Sequence, residues 1–272
     1  MSHVKLNNLT IGSDRPLTII AGPCQIESAD MCLRVGEAVR ERCKELGLQY
    51  IFKASFDKAN RSSIHTERGP GLDQGLASMA LLKDKLGVAV TTDIHEPSQA
   101  APAGEVIDLL QIPAFLCRQT DLLVASAKTG RAVNVKKGQF LSPGEMKNVV
   151  NKLTEADASG IMLTERGTFF GYNRLVNDFP GLEDMAAFGW PICFDVTHST
   201  QLPGGGGTHS GGRPERAPLL ARCAVAAGVQ ALFIETHPDP KNAASDAATM
   251  LPLEQTLSLL GELARLHNAV TG

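Results

Sequence analysis

Short apolar runs alternate with longer amphipathic stretches along this chain. The runs fall at 17–21 (LTIIA), 50–52, 88–91, 109–112, 132–135, 161–163, 191–194 and 231–234. Between the first two, residues 31–46 place apolar side chains at 31, 35, 38, 39, 43 and 46, close to the helical period. Residues 76–86, 122–127, 146–153, 219–227 and 253–266 read similarly, which leaves the third and sixth helices of the series the least clear.

Strands alternating with helices predict βαβ units and a parallel sheet. Eight such units in about 250 residues predict an α/β chain folded as a single (β/α)8 TIM barrel, with residues 1–272 as one catalytic domain. The glycine fingerprint of a dinucleotide-binding first turn is missing after Ala21. Residues 1–12 precede the first run and predict a short N-terminal hairpin over the barrel's N-terminal end. No repeat, linker or second domain is legible. Six of the residues in 203–212 (PGGGGTHSGG) are glycine, so this stretch predicts a mobile loop on the side where barrel enzymes carry lids.

Composition narrows the class of partner. Hydrophobic residues make up 43% of the 272 and charged residues 20%, as in ordinary soluble proteins. Net charge is −3 and the pI about 6.2, which argues against a nucleic-acid or membrane surface. No apolar run reaches the ~20 residues of a membrane span, and the N-terminus lacks a signal peptide's apolar core. The expected location is cytoplasmic. Six scattered cysteines without a C-x-x-C pair predict free thiols rather than a zinc ribbon or redox dithiol.

In a closed barrel the residues at the strands' C-terminal ends surround the active site. Those ends carry Gly22-Pro23-Cys24; Lys53, with Lys58, Asn60 and Arg61 beyond it; Asp93, His95 and Glu96; Gln111; Lys136 and Lys137; Glu165 and Arg166; Asp195 and His198; and Glu235, with His237 and Asp246 further on. A single charged residue after a strand is usually its first solvated loop position. Here Lys53, Lys136 and Arg166 converge, and converging cations repel unless an anion sits between them. The pattern predicts a pocket for a phosphate or carboxylate ligand.

A second set comprises Cys24, His198, Glu235 and Asp246, from the mouths of the first, seventh and eighth strands. Thiolate, imidazole and carboxylate together suit zinc or iron(II). The plainer alternatives, a buried thiol and a hydrogen-bonded loop histidine, stay open at this spacing. His95-Glu96 and Glu235-Thr236-His237 are further ligand pairs, but neither has the H-E-x-x-H spacing. His65, His209 and His267 look peripheral. Ser62-Ser63 follows no nucleophile elbow, and no P-loop is present.

The runs 52–63 (FKASFDKANRSS), 111–121 (QIPAFLCRQTD), 134–140 (NVKKGQF), 194–198 (FDVTH) and 235–240 (ETHPDP) resemble those of the 3-deoxy-D-manno-octulosonate 8-phosphate synthases. The resemblance implies a transferase that condenses phosphoenolpyruvate with D-arabinose 5-phosphate and water. Its product would feed the lipopolysaccharide inner core. It implies that Lys53, Lys58, Gln111, Lys136 and Arg166 hold phosphoenolpyruvate, and that Asn60, Arg61 and Ser62 hold the pentose phosphate. Lys58, His198 and Asp93 would be catalytic, and Arg118 would reach the sugar phosphate of an adjacent subunit in a homotetramer. The chain is similar to the metal-dependent branch at Cys24, His198, Glu235 and Asp246, implying one divalent ion per subunit, zinc, iron, manganese or similar. Two rivals are the erythrose 4-phosphate synthase, which shows K-P-R-[ST] where this chain has Lys58-Ala-Asn-Arg61, and a non-catalytic barrel that binds a sugar phosphate as a regulator.

Overall fold

The computed structural model describes residues 1–7, 9–60, 64, 66–204 and 211–271. Two short strands come first, β1 (Val4–Leu6) and β2 (Leu9–Ile11). Then follow β3 (Thr18–Gly22), α1 (Ala29–Glu45), β4 (Gln49–Lys53), α2 (Leu72–Leu86), β5 (Ala89–Asp93), α3 (Pro97–Val106), β6 (Leu109–Ile112) and α4 (Thr120–Ala127). The middle of the chain forms β7 (Ala132–Lys136), α5 (Met146–Glu155), β8 (Ile161–Glu165), β9 (Thr168–Phe169), β10 (Leu175–Val176) and α6 (Pro180–Ala186). The last part forms β11 (Ile192–Asp195), β12 (Gln201–Leu202), β13 (Gly211–Gly212), α7 (Ala217–Ala226), β14 (Ala231–His237), β15 (Leu251–Pro252) and α8 (Leu253–Thr271).

Strands β3, β4, β5, β6, β7, β8, β11 and β14 each pair in parallel with the next, and β14 pairs back onto β3. The sheet is closed, and its helices ring the outside: a (β/α)8 barrel, as the alternation predicted. No helix among the described residues is long and apolar enough to cross a membrane.

Side-chain alternation along each strand sorts the interior from the helix-facing side. Ile19, Phe52, Val90, Leu110, Val133, Leu163, Phe194 and Leu232 belong to the core beneath the helices. Their immediate neighbours Ile20, Ile51, Leu109, Ala132, Met162, Cys193, Ala231 and Phe233 point into the barrel and pack as a second cluster. Val4, Leu6 and Ile11 of the antiparallel hairpin β1–β2 complete that cluster and plug the barrel's N-terminal end. Continuing the same alternation toward the C-terminal end puts Lys53, Asp93, Gln111, Asn134, Lys136, Asp195 and Glu235 on the inward face.

The strands outrun their apolar runs for this reason. β4, β5 and β7 continue to Lys53, Asp93 and Lys136. The eighth barrel strand does not end at Glu235 but continues to His237, where Thr236 and His237 pair with Leu251 and Pro252. α3 is hard to read because it has Pro97, Pro102 and Gly104 among alanines, so no large apolar stripe marks it. It is held at its start by a capping box between Glu96 and Gln99. α6 has 7 residues, too short to show a period. The hairpin β9–β10 and the pair β12–β13 were not foreseen; each strand has two residues. β12–β13 frames the glycine-rich stretch, whose residues 205–210 lie outside the described residues.

Candidate functional site

A cavity of about 390 Å³ opens at the C-terminal end of the barrel. Its walls include Lys58, Asn60, Asp93, His95, Lys136, Gln139, Arg166, His198, Glu235, Ser245 and Asp246. Eight of the positions proposed from sequence therefore share one wall: Lys58, Asn60, Asp93, Lys136, Arg166 and His198, with the carboxylates of Glu235 and Asp246 beside them. Lys53, Gln111 and Cys24 are buried behind it. Arg118 is exposed and does not line this chain's cavity; its backbone carbonyl accepts from Lys152 Nζ at 3.0 Å. Arg61 and Ser62 lie outside the described residues, as do His65 and His209.

Two polar systems occupy the barrel mouth. The first is a hydrogen-bonded belt across five consecutive strands or their ends. Thr164 donates to Asn134 at 2.6 Å, Asn134 to Gln111 at 2.9 Å, and Gln111 to Asp93 at 2.7 Å. Ser55 donates to the other oxygen of Asp93 at 2.6 Å and accepts from Lys58 Nζ at 3.0 Å. Burial alone would raise the Asp93 carboxyl, but the charges of Lys53, Lys58 and Lys136 outweigh it and hold the group well below the usual range. Asp93 is thus a carboxylate, able only to accept.

The second system is ionic. Lys53 pairs with Glu235 and also donates to the Cys24 carbonyl at 2.9 Å. Lys136 Nζ meets Asp195 Oδ2 at 2.6 Å and lies 3.7 Å from the Phe233 ring centroid. This changes the argument from converging cations: two of the three, Lys53 and Lys136, already face a buried carboxylate from a neighbouring part of the barrel. Arg166 Nη2 donates to Gln201 at 2.6 Å, while its buried Nη1 has no partner among the described residues. Lys58 keeps its proton: burial works against the ammonium, yet Cys24, Glu235, Asp93 and Asp246 around it raise its pKa overall.

Cys24, Glu235 and Asp246 offer ligand atoms that all lie within 4.8 Å of one another. His198 Nε2 stands 3.3 Å from Asp246 Oδ2 and 3.7 Å from Glu235 Oε2. Glu235 Oε2 is buried and takes no hydrogen bond from the described residues. Cys24 Sγ is 3.0 Å from Ser245 Oγ and 3.4 Å from Asp246 Oδ2. Burial, and then the charges of Asp246 and Glu235, push this thiol far above its ordinary value. A soft donor, an imidazole, two carboxylates and an orphaned buried oxygen fit a divalent ion, whose charge would favour the thiolate and satisfy that oxygen.

Local backbone geometry brings these groups together. Adding a Cβ to Gly22 would run into the Lys53 carbonyl, so glycine lets β3 and β4 approach where the chain turns toward Cys24. Asp246 sits at φ +49°, a left-handed conformation that aspartate tolerates better than most residues. Thr249 N–H and Met250 N–H both donate to its carbonyl. The residues overlooked in the sequence are Ser55, Asn134, Gln139 and Ser245. Ser55, Asn134 and Gln139 stand within the quoted runs, and the inward parity of Asn134 with Lys136 was an available signal. Gln139 and Ser245 lie in loops, where no strand parity applies.

The family model described as the DAHP synthetase I family matches residues 2–270. A protein of Cyanothece sp. named 2-dehydro-3-deoxyphosphooctonate aldolase is 54% identical over 263 residues, covering 97% of this chain and 96% of that protein. Proteins of the same name from Desulfotalea psychrophila and Brucella anthropi are 52% and 50% identical. They align with 97% and 100% of this chain and with 94% and 98% of their own lengths.

Proposed function

The chain belongs to the DAHP synthetase I family and, within it, to the enzymes named 2-dehydro-3-deoxyphosphooctonate aldolase; from that premise we propose that it joins phosphoenolpyruvate to D-arabinose 5-phosphate. Water is consumed, and 3-deoxy-D-manno-octulosonate 8-phosphate and inorganic phosphate are released, the product serving the lipopolysaccharide inner core. The observation that carries this reading is the single cavity on which Lys58, Lys136, Arg166 and Asn60 converge above the Cys24–Glu235–Asp246 cluster.

Lys58, Lys136 and the free Nη1 of Arg166 bind the carboxylate and phosphate of phosphoenolpyruvate. Lys53 and Gln111, behind the wall, hold Glu235 and Asp93 in place. Asn60, with Arg61 and Ser62, receives the phosphate of the pentose. C3 of the enol attacks the sugar aldehyde, water adds at C2, and the C2–O bond to phosphate breaks. Lys58, held protonated, donates a hydrogen bond or proton to the oxygen on which charge develops. Asp93 orients the sugar or water as an acceptor, and His198 holds its place beside Asp246.

Cys24, His198, Glu235 and Asp246 would hold one divalent metal ion, which supplies Lewis acidity toward an oxygen or activates a water. The chain works as one catalytic domain in the cytoplasm. A homotetramer, with Arg118 reaching a neighbour's sugar phosphate, agrees with the exposed Phe115, Phe140 and Phe170 on the loops at the same end of the barrel.

Incubation with phosphoenolpyruvate and either D-arabinose 5-phosphate or D-erythrose 4-phosphate tests the reading through released phosphate. Release with the pentose phosphate alone is expected. Release with the tetrose phosphate instead would move the chain to the rival synthase, and release with neither would favour the regulator. Strong chelation should abolish turnover, and Mn²⁺, Fe²⁺ or Zn²⁺ should restore part of it. Full activity in metal-free protein would remove the ion from the reading.

A further inference from the structure

We propose that Asp195 is a positioning residue shared by both halves of the site, fixing the His198 ring toward Glu235 and Asp246 and anchoring the Lys136 ammonium. The inference rests on the reading of His198 as a metal ligand and Lys136 as a phosphoenolpyruvate contact.

Asp195 ends β11 with its side chain inward and fully buried. Its Oδ1 accepts from the His198 backbone N–H at 2.9 Å. Its Oδ2 meets both His198 Nδ1, at 2.8 Å, and Lys136 Nζ, at 2.6 Å. Both oxygens are thereby taken up as acceptors, Oδ1 by the backbone N–H and Oδ2 by the ammonium. A carboxylate only accepts, so the hydrogen must sit on Nδ1. Nε2 is then the nitrogen turned to Asp246 and Glu235, at 3.3 and 3.7 Å. Because one oxygen serves both donors, the imidazole and the ammonium are coupled: releasing either lets the other move. The sequence lists Asp195 among strand ends but gives it no task. Its task follows from these three contacts.

Asp195→Asn in the full chain keeps the size of the side chain and an acceptor for the His198 N–H. Its amide cannot accept from both Nδ1 and Nζ with one uncharged oxygen. Zn²⁺ affinity, measured by chelator competition, should fall about 10–100-fold. The absorption bands of the Co²⁺-loaded variant should shift. At saturating metal the KM for phosphoenolpyruvate should rise severalfold while kcat changes less. In a Lys136→Met background the KM effect should vanish and the metal effect persist. Lys136→Met alone provides a second test that leaves Asp195 in place: its Co²⁺ bands should also shift, although Lys136 is no ligand. A variant with parental Zn²⁺ affinity and parental KM, or a Lys136→Met protein with unchanged Co²⁺ bands, overturns the inference alone. A parent chain that binds neither ion overturns the metal reading, and the inference with it.

Discussion

The two ends of the barrel are built from the same strands and the same alternation, yet they obey different physics. At the N-terminal end the inward positions are Ile20, Ile51, Leu109, Ala132, Met162, Cys193 and Ala231, capped by Val4, Leu6 and Ile11. Two residues further along, about 7 Å, the inward positions are Gly22, Lys53, Gln111, Asn134, Thr164, Asp195 and Phe233. One end is specified by volume: any side chain that fills the space without strain serves. The other is specified by partners, since each buried charge or amide needs a counterpart of the right kind. Function sits where specification is by partner, and the orphaned atoms Glu235 Oε2 and Arg166 Nη1 mark where the protein leaves partners for something else to supply.

Breaking the charged end should have the largest effect. Glu235→Gln leaves the Lys53 ammonium, 1% exposed, without its counter-ion. Removing one partner of such a buried pair typically costs about 3–5 kcal/mol. Urea unfolding should show a loss of that size, together with the disappearance of turnover. A loss under about 1 kcal/mol would mean that Lys53 finds another anion or water, and the Lys53–Glu235 pair would not be structural at all.

The apolar end should separate from function when it is damaged. Ile11 is fully buried in the plug, and Ile11→Ala should cost about 2–5 kcal/mol through lost contacts and a cavity. The kcat/KM of the folded fraction, measured well below the unfolding midpoint, should stay within about twofold of the parent, because none of the described residues of the plug lines the site cavity. A tenfold drop would show that the two ends are mechanically coupled.

The same contrast explains what the sequence made legible. Apolar runs announce strands directly, so all eight barrel strands were readable from the pattern, and the plug from its place ahead of the first of them. Individual charged residues at strand ends, such as Lys53, Asp93 and Lys136, were also visible, because a charge interrupting an apolar run is conspicuous. Their pairing was not. Lys136 meets Asp195 across 59 positions and Lys53 meets Glu235 across 182, and only closure of the barrel makes these neighbours. The cationic pocket inferred from Lys53, Lys136 and Arg166 was for that reason too positive: the carboxylates that balance it come from distant strands. Neutral members of the belt were least legible, since an asparagine or threonine inside a strand does not stand out from the run around it.

Thr164 tests whether that neutral belt belongs to the charged end or merely sits beside it. Thr164→Val keeps the shape of the side chain and deletes one hydroxyl. The lost donor leaves Asn134 Oδ1 short of a partner in a buried setting, which should cost about 1–3 kcal/mol, less than either change above. The bonds run one way, from Thr164 through Asn134 and Gln111 to Asp93, so the loss is felt down the line. Freed from Thr164, Asn134 no longer has its amide orientation fixed at both ends, and Gln111 is held less firmly against Asp93. The KM for phosphoenolpyruvate should rise about two- to fivefold with kcat nearly unchanged, a loss of roughly 0.4–1 kcal/mol in binding. Adding Asn134→Ala to the variant should cost less than Asn134→Ala does in the parent, since the Thr164 bond is already gone. Strict additivity of the two changes would show that the belt is a set of independent contacts, and that the boundary between the two ends of the barrel lies above it.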